Sequence, residues 1–484
     1  MDDTILMTLE ELAAASGAEI ISSSQYPPRG ITSVCIDSRE VRPGALFVAL
    51  EGSVQDGHSF AAQAFEAGAA AAFVCRDALN SSLYKLRETA GRFGAVLLAV
   101  PDTLRALQDA ARVYLEKFPG LVRIGITGSS GKTTVKEIAA AMVGTERKTV
   151  MNPGNLNSET GLPLAVFSVR DFHEVGIFEM GMNRFGEMEE LAAILKPRIA
   201  LITNIGTAHI GILGTKDAIA KEKKSVFSQF SGTETALIPA YDEYAQYLAE
   251  DIDGKVVYFG PGEMREFQGA TDLGLQGMEM IWEGSPVRFG LPGQYNLLNA
   301  LAAAAIAREV PVSAEAIRRG LESVRPLFGR SEIISGPVTI IRDCYNANPE
   351  AVLEALSFAD SVPWKGRRIY VIGSMLELGD YSVPAHEKIG EALASSGADA
   401  VYFFGEETGP AVEAFRRSAV SGQAEKAAVF YSGDMDELSR MLKGYVREGD
   451  LVLLKGSRGT ALERLTDVLS LSPAEQKGAC PSVS

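Results

Sequence analysis

Hydrophobic residues occur in short continuous runs along this chain, separated by longer stretches with a helical pattern. Three clear runs lie near the middle, at Leu121 to Thr127, Val175 to Met180 and Ile199 to Asn204. Runs of this length without polar alternation are typical of parallel strands that are buried on both faces. Strands that alternate with helices predict an α/β protein.

The same pattern divides the chain into three blocks. The first contains strand-like runs at Ile31 to Ser38, Ala45 to Leu50 and Ala70 to Val74, with a helical pattern from Ser59 to Gly68. The third contains five strand candidates, namely VTIIRD, RRIYVIG, AVYFFG, AAVFYSG and DLVLLKGS. Helical stretches between these five predict a doubly wound parallel sheet. The predicted domains are residues 1–118, 119–325 and 326–484.

Composition narrows the class of protein. The 484 residues fit roughly three domains at about 150 residues each. A net charge of -16 argues against nonspecific nucleic-acid binding. No run reaches the roughly 18–20 apolar residues of a membrane span. The acidic start of the chain is unlike a signal peptide, and the four cysteines lack metal-site spacing. We therefore expect a cytoplasmic protein without a nucleic-acid or membrane partner, and a monomer.

A glycine-rich loop follows the first central run directly and precedes a helical pattern. Backbone N–H groups of such a loop cradle phosphate oxygens, a lysine adds charge, and a hydroxyl binds Mg²⁺. The alternative is a turn that merely joins strand to helix. The loop predicts a nucleoside triphosphate site formed by Gly128, Ser129, Ser130, Gly131, Lys132, Thr133 and Thr134.

Two further residues lie just past buried strands, where ligand chemistry collects in α/β sheets. Glu179 offers the oxygen ligand that Mg²⁺ prefers, although an ordinary strand-end glutamate fits as well. His209 lies between glycines in NIGTAHIG, and a structural histidine is its alternative. The lysine run from Lys221 to Lys224, taken alone, indicates a solvated helix face.

Motifs along nearly the whole chain resemble the Mur ligases. In chain order they are TGSSGKTT, NPGNLNSETGLP, FEMGMNRFGE, ITNIGTAHIG, AKEKKSVF, LPGQYNLLNA, FGRSE, DCYNANP, LELGD and KGSRGTALER. DCYNANPEAV, MLELGDYSVPAHEKIG and KGSRG most resemble the members that add D-Ala-D-Ala to UDP-N-acetylmuramoyl-tripeptide. The resemblance implies an N-terminal UDP-binding α/β domain, a central P-loop ATPase-like domain with a parallel sheet, and a C-terminal Rossmann-like domain.

The resemblance also implies roles for individual residues. One Mg²⁺ would lie near Thr133 and Glu179, and a second near His209. The family's carbamylated lysine corresponds to Lys223, while Lys221 and Lys224 keep the solvated interpretation.

ATP would be held by further residues. Its adenine would lie near Asn296 and Asn299, its phosphates near Arg330, and its ribose near Asp343. Residues implied for the other substrates are Ser38 and Arg39 for the UDP group, with Asn155, Asn346 and Asn348 near the peptide and dipeptide.

Three positions depart from the family pattern. Tyr295 stands where histidine is frequent, and Ser158 stands where asparagine is usual. Lys224 and Ser225 replace the expected small and acidic residues. None of these changes removes a proposed metal or phosphate group.

Two alternatives stay open. Another Mur ligase or a folylpolyglutamate synthetase would perform the same chemistry on different substrates. A P-loop regulatory protein would hydrolyse ATP independently of any acceptor amine.

Overall fold

The computed structural model describes residues 4–22, 26–52, 55–77, 83–418 and 427–470. The first part of the chain forms a five-stranded sheet in the order β2-β7-β6-β5-β4, parallel except for the edge strand β2, and a small β1-β3 pair. Its elements are β1 Met7–Thr8, α1 Leu9–Ser16, β2 Glu19–Ile21, β3 Gly30–Ile31, β4 Ser33–Cys35, β5 Ala45–Val48, α2 Ala61–Glu66, β6 Ala71–Cys75, α3 Leu83–Arg92, β7 Val96–Val100 and α4 Thr103–Glu116.

The central part contains a six-stranded parallel sheet in the order β13-β12-β11-β8-β10-β9 and a three-stranded antiparallel sheet, β14-β15-β16. Its strands are β8 Val122–Thr127, β9 Thr149–Met151, β10 Val175–Glu179, β11 Ile199–Ile202, β12 Thr235–Pro239, β13 Lys255–Phe259, β14 Phe267–Asp272, β15 Met278–Trp282 and β16 Ser285–Phe289. Its helices are α5 Lys132–Val143, α6 Gly161–Val166, α7 Glu187–Leu195, α8 Ile210–Leu213, α9 Lys216–Lys224, α10 Ala245–Ala249, α11 Gln294–Glu309 and α12 Ala314–Ser323.

The last part forms a second six-stranded sheet in the order β17-β18-β22-β19-β20-β21. Its elements are β17 Glu332–Ile334, β18 Thr339–Asp343, α13 Pro349–Ser361, β19 Arg368–Gly373, α14 Ser382–Ala394, β20 Ala400–Phe404, α15 Gly409–Ser418, β21 Ala428–Ser432, α16 Met435–Tyr445, β22 Leu451–Lys455 and α17 Leu465–Ser470. The five predicted strands are β18 to β22 and are parallel, as expected. The edge strand β17 was not predicted and pairs antiparallel with β18.

Strand order explains where the central part can bind a ligand. From β8, the chain builds β9 and β10 on one side of the sheet and β11 to β13 on the other. A crevice opens outside the carboxyl ends of the strands where the order reverses, and ligands of open α/β sheets bind there. Strands β10 and β11 are buried along their whole length, and β8 is buried from Ile124 to Thr127, which explains why these runs are mainly apolar.

The alanine-rich helix α11 packs against α5, the helix that follows the glycine loop. Alanines let the two helix axes approach closely, and α11 is buried from Ala300 to Ala307. This packing fixes the start of α5 relative to the sheet. No helix in the described ranges is long and apolar enough to span a bilayer.

Candidate active site between the central and C-terminal parts

A cleft of about 560 Å³ opens at the carboxyl ends of β8, β10 and β11 and is covered by the C-terminal part. Most residues that the sequence singled out line this cleft. They are Ser129, Ser130, Gly131, Lys132, Thr133, Thr134, Asn155, Glu179, His209, Asn296, Asn299, Arg330, Asp343, Asn346 and Asn348.

The glycine loop has the geometry expected of a phosphate loop. Gly128 has a φ of 147°, and a Cβ there would lie 1.8 Å from Thr203 Oγ1. Gly131 has a φ of 78° and precedes α5 directly. The Ser130 N–H donates to Asn204 Oδ1 at 3.0 Å, which ties the loop to the end of β11. The first turn of α5 therefore points its N–H groups into the cleft, as anion binding requires.

Two lysines share one acceptor behind the loop. Lys132 Nζ and Lys223 Nζ donate to Gly128 O at 2.9 and 3.0 Å. Burial lowers the pKa of Lys132. Burial, helped by the nearby Lys132 charge, lowers the pKa of Lys223 well below its usual range. The two amines lie side by side where the sequence predicts phosphates.

The solvated interpretation of the neighbouring lysines is only partly correct. Lys221 is exposed. Lys224 is half-buried, and its Nζ donates to Tyr247 O at 2.8 Å above the Tyr247 ring. The prediction for Lys224 is therefore wrong, because the aromatic side chain of a neighbouring helix covers its stem.

Thr133 joins the central and C-terminal parts at the loop. Its Oγ1 donates to Glu179 Oε2 at 2.7 Å and accepts from Arg330 at 3.0 Å. The other carboxylate oxygen of Glu179 accepts from Asn157 Nδ2 at 2.6 Å. The Arg330 guanidinium stacks on the Tyr345 ring at 4.0 Å. A hydroxyl beside a carboxylate is a hard oxygen set that suits Mg²⁺.

His209 lines the same cleft with a left-handed φ of 67°. Its Nδ1 is buried without a hydrogen-bond partner, and the nearest acidic atom, Glu377 Oε2, lies 3.5 Å away. Burial lowers the pKa of His209, while Glu377 acts in the opposite direction. In the described part of the chain, no group of three or more His, Cys, Asp or Glu side chains could hold a metal ion.

The two predicted adenine residues are buried and largely bonded to protein. Asn296 Nδ2 donates to Pro292 O at 2.7 Å, and Asn299 Nδ2 donates to Asn296 Oδ1 at 3.1 Å. A Cβ on Gly131 would lie 2.3 Å from Asn299 Oδ1. Asn299 therefore supports the phosphate loop as well as lining the cleft. Tyr295, which stands where the family frequently has histidine, shares a 2.7 Å hydrogen bond with Ser331 Oγ.

On the C-terminal side, the structure adds a cation that the sequence analysis missed. Lys455 Nζ forms an ion pair with Asp343 Oδ2 at 2.9 Å and donates to Asn346 O at 2.9 Å. The KGSRG motif contained Lys455, but its partner lies on a strand far away in sequence. Asn348 is the N-cap of α13, since its side chain accepts from Ala351 N–H at 2.8 Å. The side-chain oxygen of Asn348 therefore already accepts a hydrogen bond within the protein.

Ser38 and Arg39 do not belong to this cleft. Ser38 Oγ donates to Gln63 Oε1 at 3.1 Å, and the exposed Arg39 pairs with Asp37 at 2.6 Å. Both lie in the first part of the chain. Their predicted role in binding the UDP group therefore concerns a separate surface.

A phosphate loop facing a strand-end glutamate, with an arginine reaching in from a C-terminal α/β unit, defines a three-part ATP-dependent ligase. Family models agree: the Mur ligase family catalytic domain matches residues 30–114, the Mur ligase middle domain 126–307, and the Mur ligase glutamate ligase domain 329–458. The chain belongs to the Mur ligase family.

Individual relatives are similar over nearly their full length. The UDP-N-acetylmuramoyl-tripeptide–D-alanyl-D-alanine ligase of Treponema pallidum is 44% identical over 96% of this chain and 99% of the relative. The ligase of the same name from Escherichia coli is 31% identical over 98% of this chain and 100% of its own. The crystal structure of MurF ligase from Thermotoga maritima in complex with ADP matches with a TM-score of 0.75 and 28% identity, over 93% of this chain and 98% of that one.

Proposed function

We propose that this protein joins D-Ala-D-Ala to UDP-N-acetylmuramoyl-tripeptide at the cost of ATP, through an acyl phosphate. The main support for this proposal is the 44% identity to the Treponema pallidum ligase over 96% of the chain. The cleft supports it, because Lys132, Thr133, Glu179 and Arg330 meet at one point.

The proposed chemistry converts a carboxylate oxygen, which is a poor leaving group, into a phosphate, which is a good one. A peptide carboxylate does not react with an amine, because oxide is not displaced. Transfer of the γ-phosphoryl group of ATP to a carboxylate oxygen breaks the bond to ADP and creates a phosphate leaving group. The dipeptide amine then attacks the acyl carbon, phosphate departs, and the amine loses a proton to a base.

Side chains of this protein can offset the charge repulsion in the first step, the transfer of the phosphoryl group to the carboxylate. Lys132 and Arg330 place two cations around the position of the transferred group, which offsets the approach of two anions. Mg²⁺, when bound, would further neutralise phosphate charge, and Thr133 with Glu179 would hold it. The C-terminal part lines one side of the cleft, and its closer approach over bound substrates would keep out water that hydrolyses an acyl phosphate.

Lys223 has the properties needed for carbamylation. Carbamate formation requires a neutral amine, and burial beside Lys132 lowers the pKa of Lys223 strongly. A carbamate there would place negative charge beside Lys132, where the two amines now share Gly128 O as their acceptor. We include this modification, and a second Mg²⁺ near His209, in the proposal.

The remaining assignments complete the proposal. Ser38 and Arg39 would hold the UDP end, and Asn155, Asn346 and Asn348 would lie near the peptide and dipeptide. The domains would be 1–118, 119–325 and 326–484, with boundaries in the short links after α4 and α12. The protein would act as a cytoplasmic monomer.

Phosphate release is the direct test. ATP, Mg²⁺ and UDP-N-acetylmuramoyl-tripeptide are incubated with and without D-Ala-D-Ala, and the nucleotide peptide is weighed by mass spectrometry. We expect release that requires the dipeptide, a matching mass gain, and loss of both in Lys132→Met. Release that is the same with and without the dipeptide, and the same again when the nucleotide tripeptide is left out, would contradict the proposal and favour a regulatory ATPase. Release with other amino acids or folates would favour another ligase of the family.

A further inference from the structure

A backbone loop of the C-terminal part lies directly on helix α8 of the central part. This loop, residues 374–379, belongs to the MLELGD motif, to which no role has been given above. A Cβ on Gly211 would lie 2.6 Å from both Glu377 O and Gly379 N. Gly211 itself has ordinary helical backbone, so glycine is required by the loop and not by the helix.

Two strained residues meet beside this contact. His209 has a φ of 67° and Glu377 a φ of 65°, a left-handed conformation that is unfavourable for residues with a side chain. His209 Nδ1 lies 3.5 Å from Glu377 Oε2, slightly beyond a hydrogen bond. No other described group bonds this buried nitrogen. Strain on both sides of one contact indicates that the surrounding structure enforces it.

The loop is held rigidly from its own side. Met375 N–H donates to His386 Nε2 at 3.1 Å, and Leu376 N–H donates to Ser457 Oγ at 2.9 Å. Ser457 is the serine of KGSRG, and its N–H donates to Ser374 O at 3.1 Å. The loop is therefore fixed to the C-terminal sheet. The MLELGD and KGSRG motifs, whose roles were not given above, together form this loop and its support.

We propose that Glu377 is a positioning residue for His209, held in place by loop 374–379, which is seated on Gly211 while the C-terminal part covers the cleft. This inference rests on the proposed function, because His209 then faces the reacting phosphate end of the cleft. A carboxylate that accepts one ring N–H fixes the tautomer and the orientation of an imidazole. The 3.5 Å distance shortens to a hydrogen bond when substrates fill the cleft, as catalytic contacts commonly do.

Gly211→Ala tests the contact between loop 374–379 and helix α8. The added methyl group meets backbone atoms that cannot yield, while alanine suits helix α8 itself. We expect an unchanged thermal midpoint, kcat lowered about 10-fold or more, and no compaction in solution X-ray scattering when ADP, Mg²⁺ and the nucleotide tripeptide are added. Gly262→Ala is the control, since a Cβ at Gly262 meets nothing within 4 Å.

Glu377→Ala and Glu377→Gln test the carboxylate. Both keep the backbone strain, but only glutamine keeps an acceptor oxygen. We expect alanine to lower kcat about 10-fold with little change in the KM for ATP, and glutamine to restore most of the rate. Asp380→Asn, an exposed change in the same motif, should behave as wild type.

Nitrogen NMR of labelled histidine gives a readout independent of turnover, because the chain has only four histidines. His209 should show one tautomer in the wild-type complex and averaging in Glu377→Ala. Wild-type turnover and compaction in Gly211→Ala, or an unchanged His209 signal in Glu377→Ala, would overturn the inference. Failure of the proposed function would instead appear in the wild type, as phosphate release without dipeptide dependence.

Discussion

At the scale of single residues, buried charge shows which side chains organise the site. Lys136 is fully buried in α5. Its Nζ donates to Asn152 O at 2.6 Å, and the Asn152 side chain bonds both the N–H and the carbonyl of Glu179. Because a buried charge needs partners, and Nζ has both this carbonyl and Glu137 Oε1 at 3.3 Å, this lysine is best explained as a brace between α5 and the segment that holds the Glu179 carboxylate.

Lys136→Met should therefore destabilise the protein and weaken the metal end of the site. Methionine keeps the volume, but it leaves Asn152 O without its donor, which costs about 1–3 kcal/mol. Urea unfolding should show this loss, and half-maximal activity should need more Mg²⁺. Lys148→Met, at an exposed lysine of the same region, is the control. Equal stability of the two variants would contradict the brace.

Residues of the phosphate loop were predictable because their geometry is local. Gly128 and Gly131 are fixed by a strand, a tight turn and a helix start, all within ten residues of sequence. Pairs such as Lys455 with Asp343, or Glu377 with His209, join segments far apart in the chain. Composition and spacing carry no signal for such pairs until the sheets are assembled, so the sequence analysis could not find them.

At the scale of elements, helix α9 shows that the environment of a lysine depends on the helix face on which it lies. Its buried face carries Ile219, Ala220, Glu222 and Lys223, whereas Lys221 is exposed. The carboxylate of Glu222 accepts from the N–H groups of Gly186 and Met188 at 2.9 Å, which fixes α9 against α7. That anchoring holds Lys223 against the phosphate loop, although a run of lysines alone indicates a solvated face.

The proposed carbamate on Lys223 should follow pH in a definite direction. Carbon dioxide reacts with the neutral amine, and the lowered pKa of Lys223 increases the share of that form. Acidification protonates the amine, so carbamate and activity should fall together as pH decreases. With ¹³C-bicarbonate, we expect a carbamate carbon signal in the wild type and in Lys221→Arg, but not in Lys223→Arg. A signal that survives in Lys223→Arg would contradict the assignment.

Elements were predictable where apolar runs were unbroken, and they were missed where the pattern changed. Strands β8, β10 and β11 were found because burial on both faces leaves few polar residues, Arg123 in β8 being an exception. The antiparallel pair β15 and β16 alternates buried and exposed residues around Glu283-Gly284. Both turn residues have positive φ, as two-residue hairpins require. The alternation was available in the sequence, and counting period-two positions would have revealed this hairpin.

At the scale of the whole molecule, three separate contacts hold the C-terminal part over the cleft. Arg330 reaches Thr133, loop 374–379 seats on α8, and Glu350 of α13 accepts from Thr207 Oγ1 at 2.8 Å and from Thr207 N–H at 3.2 Å. Each contact exists only while the parts are together. Their effects on closure are therefore linked even though they involve different side chains.

Glu350→Ala combined with Gly211→Ala tests this linkage. Glu350→Ala alone should favour the open form by about 1–3 kcal/mol, because two hydrogen bonds to a carboxylate are lost, and should weaken compaction with ADP and Mg²⁺. Adding it to Gly211→Ala should lower kcat further by about the same factor, because two contacts made only in the closed form each add their own free energy to one closing equilibrium. A double variant as fast as Gly211→Ala alone would contradict a single two-state step, whereas Glu413→Ala, an exposed change on α15, should leave both readouts unchanged in either background.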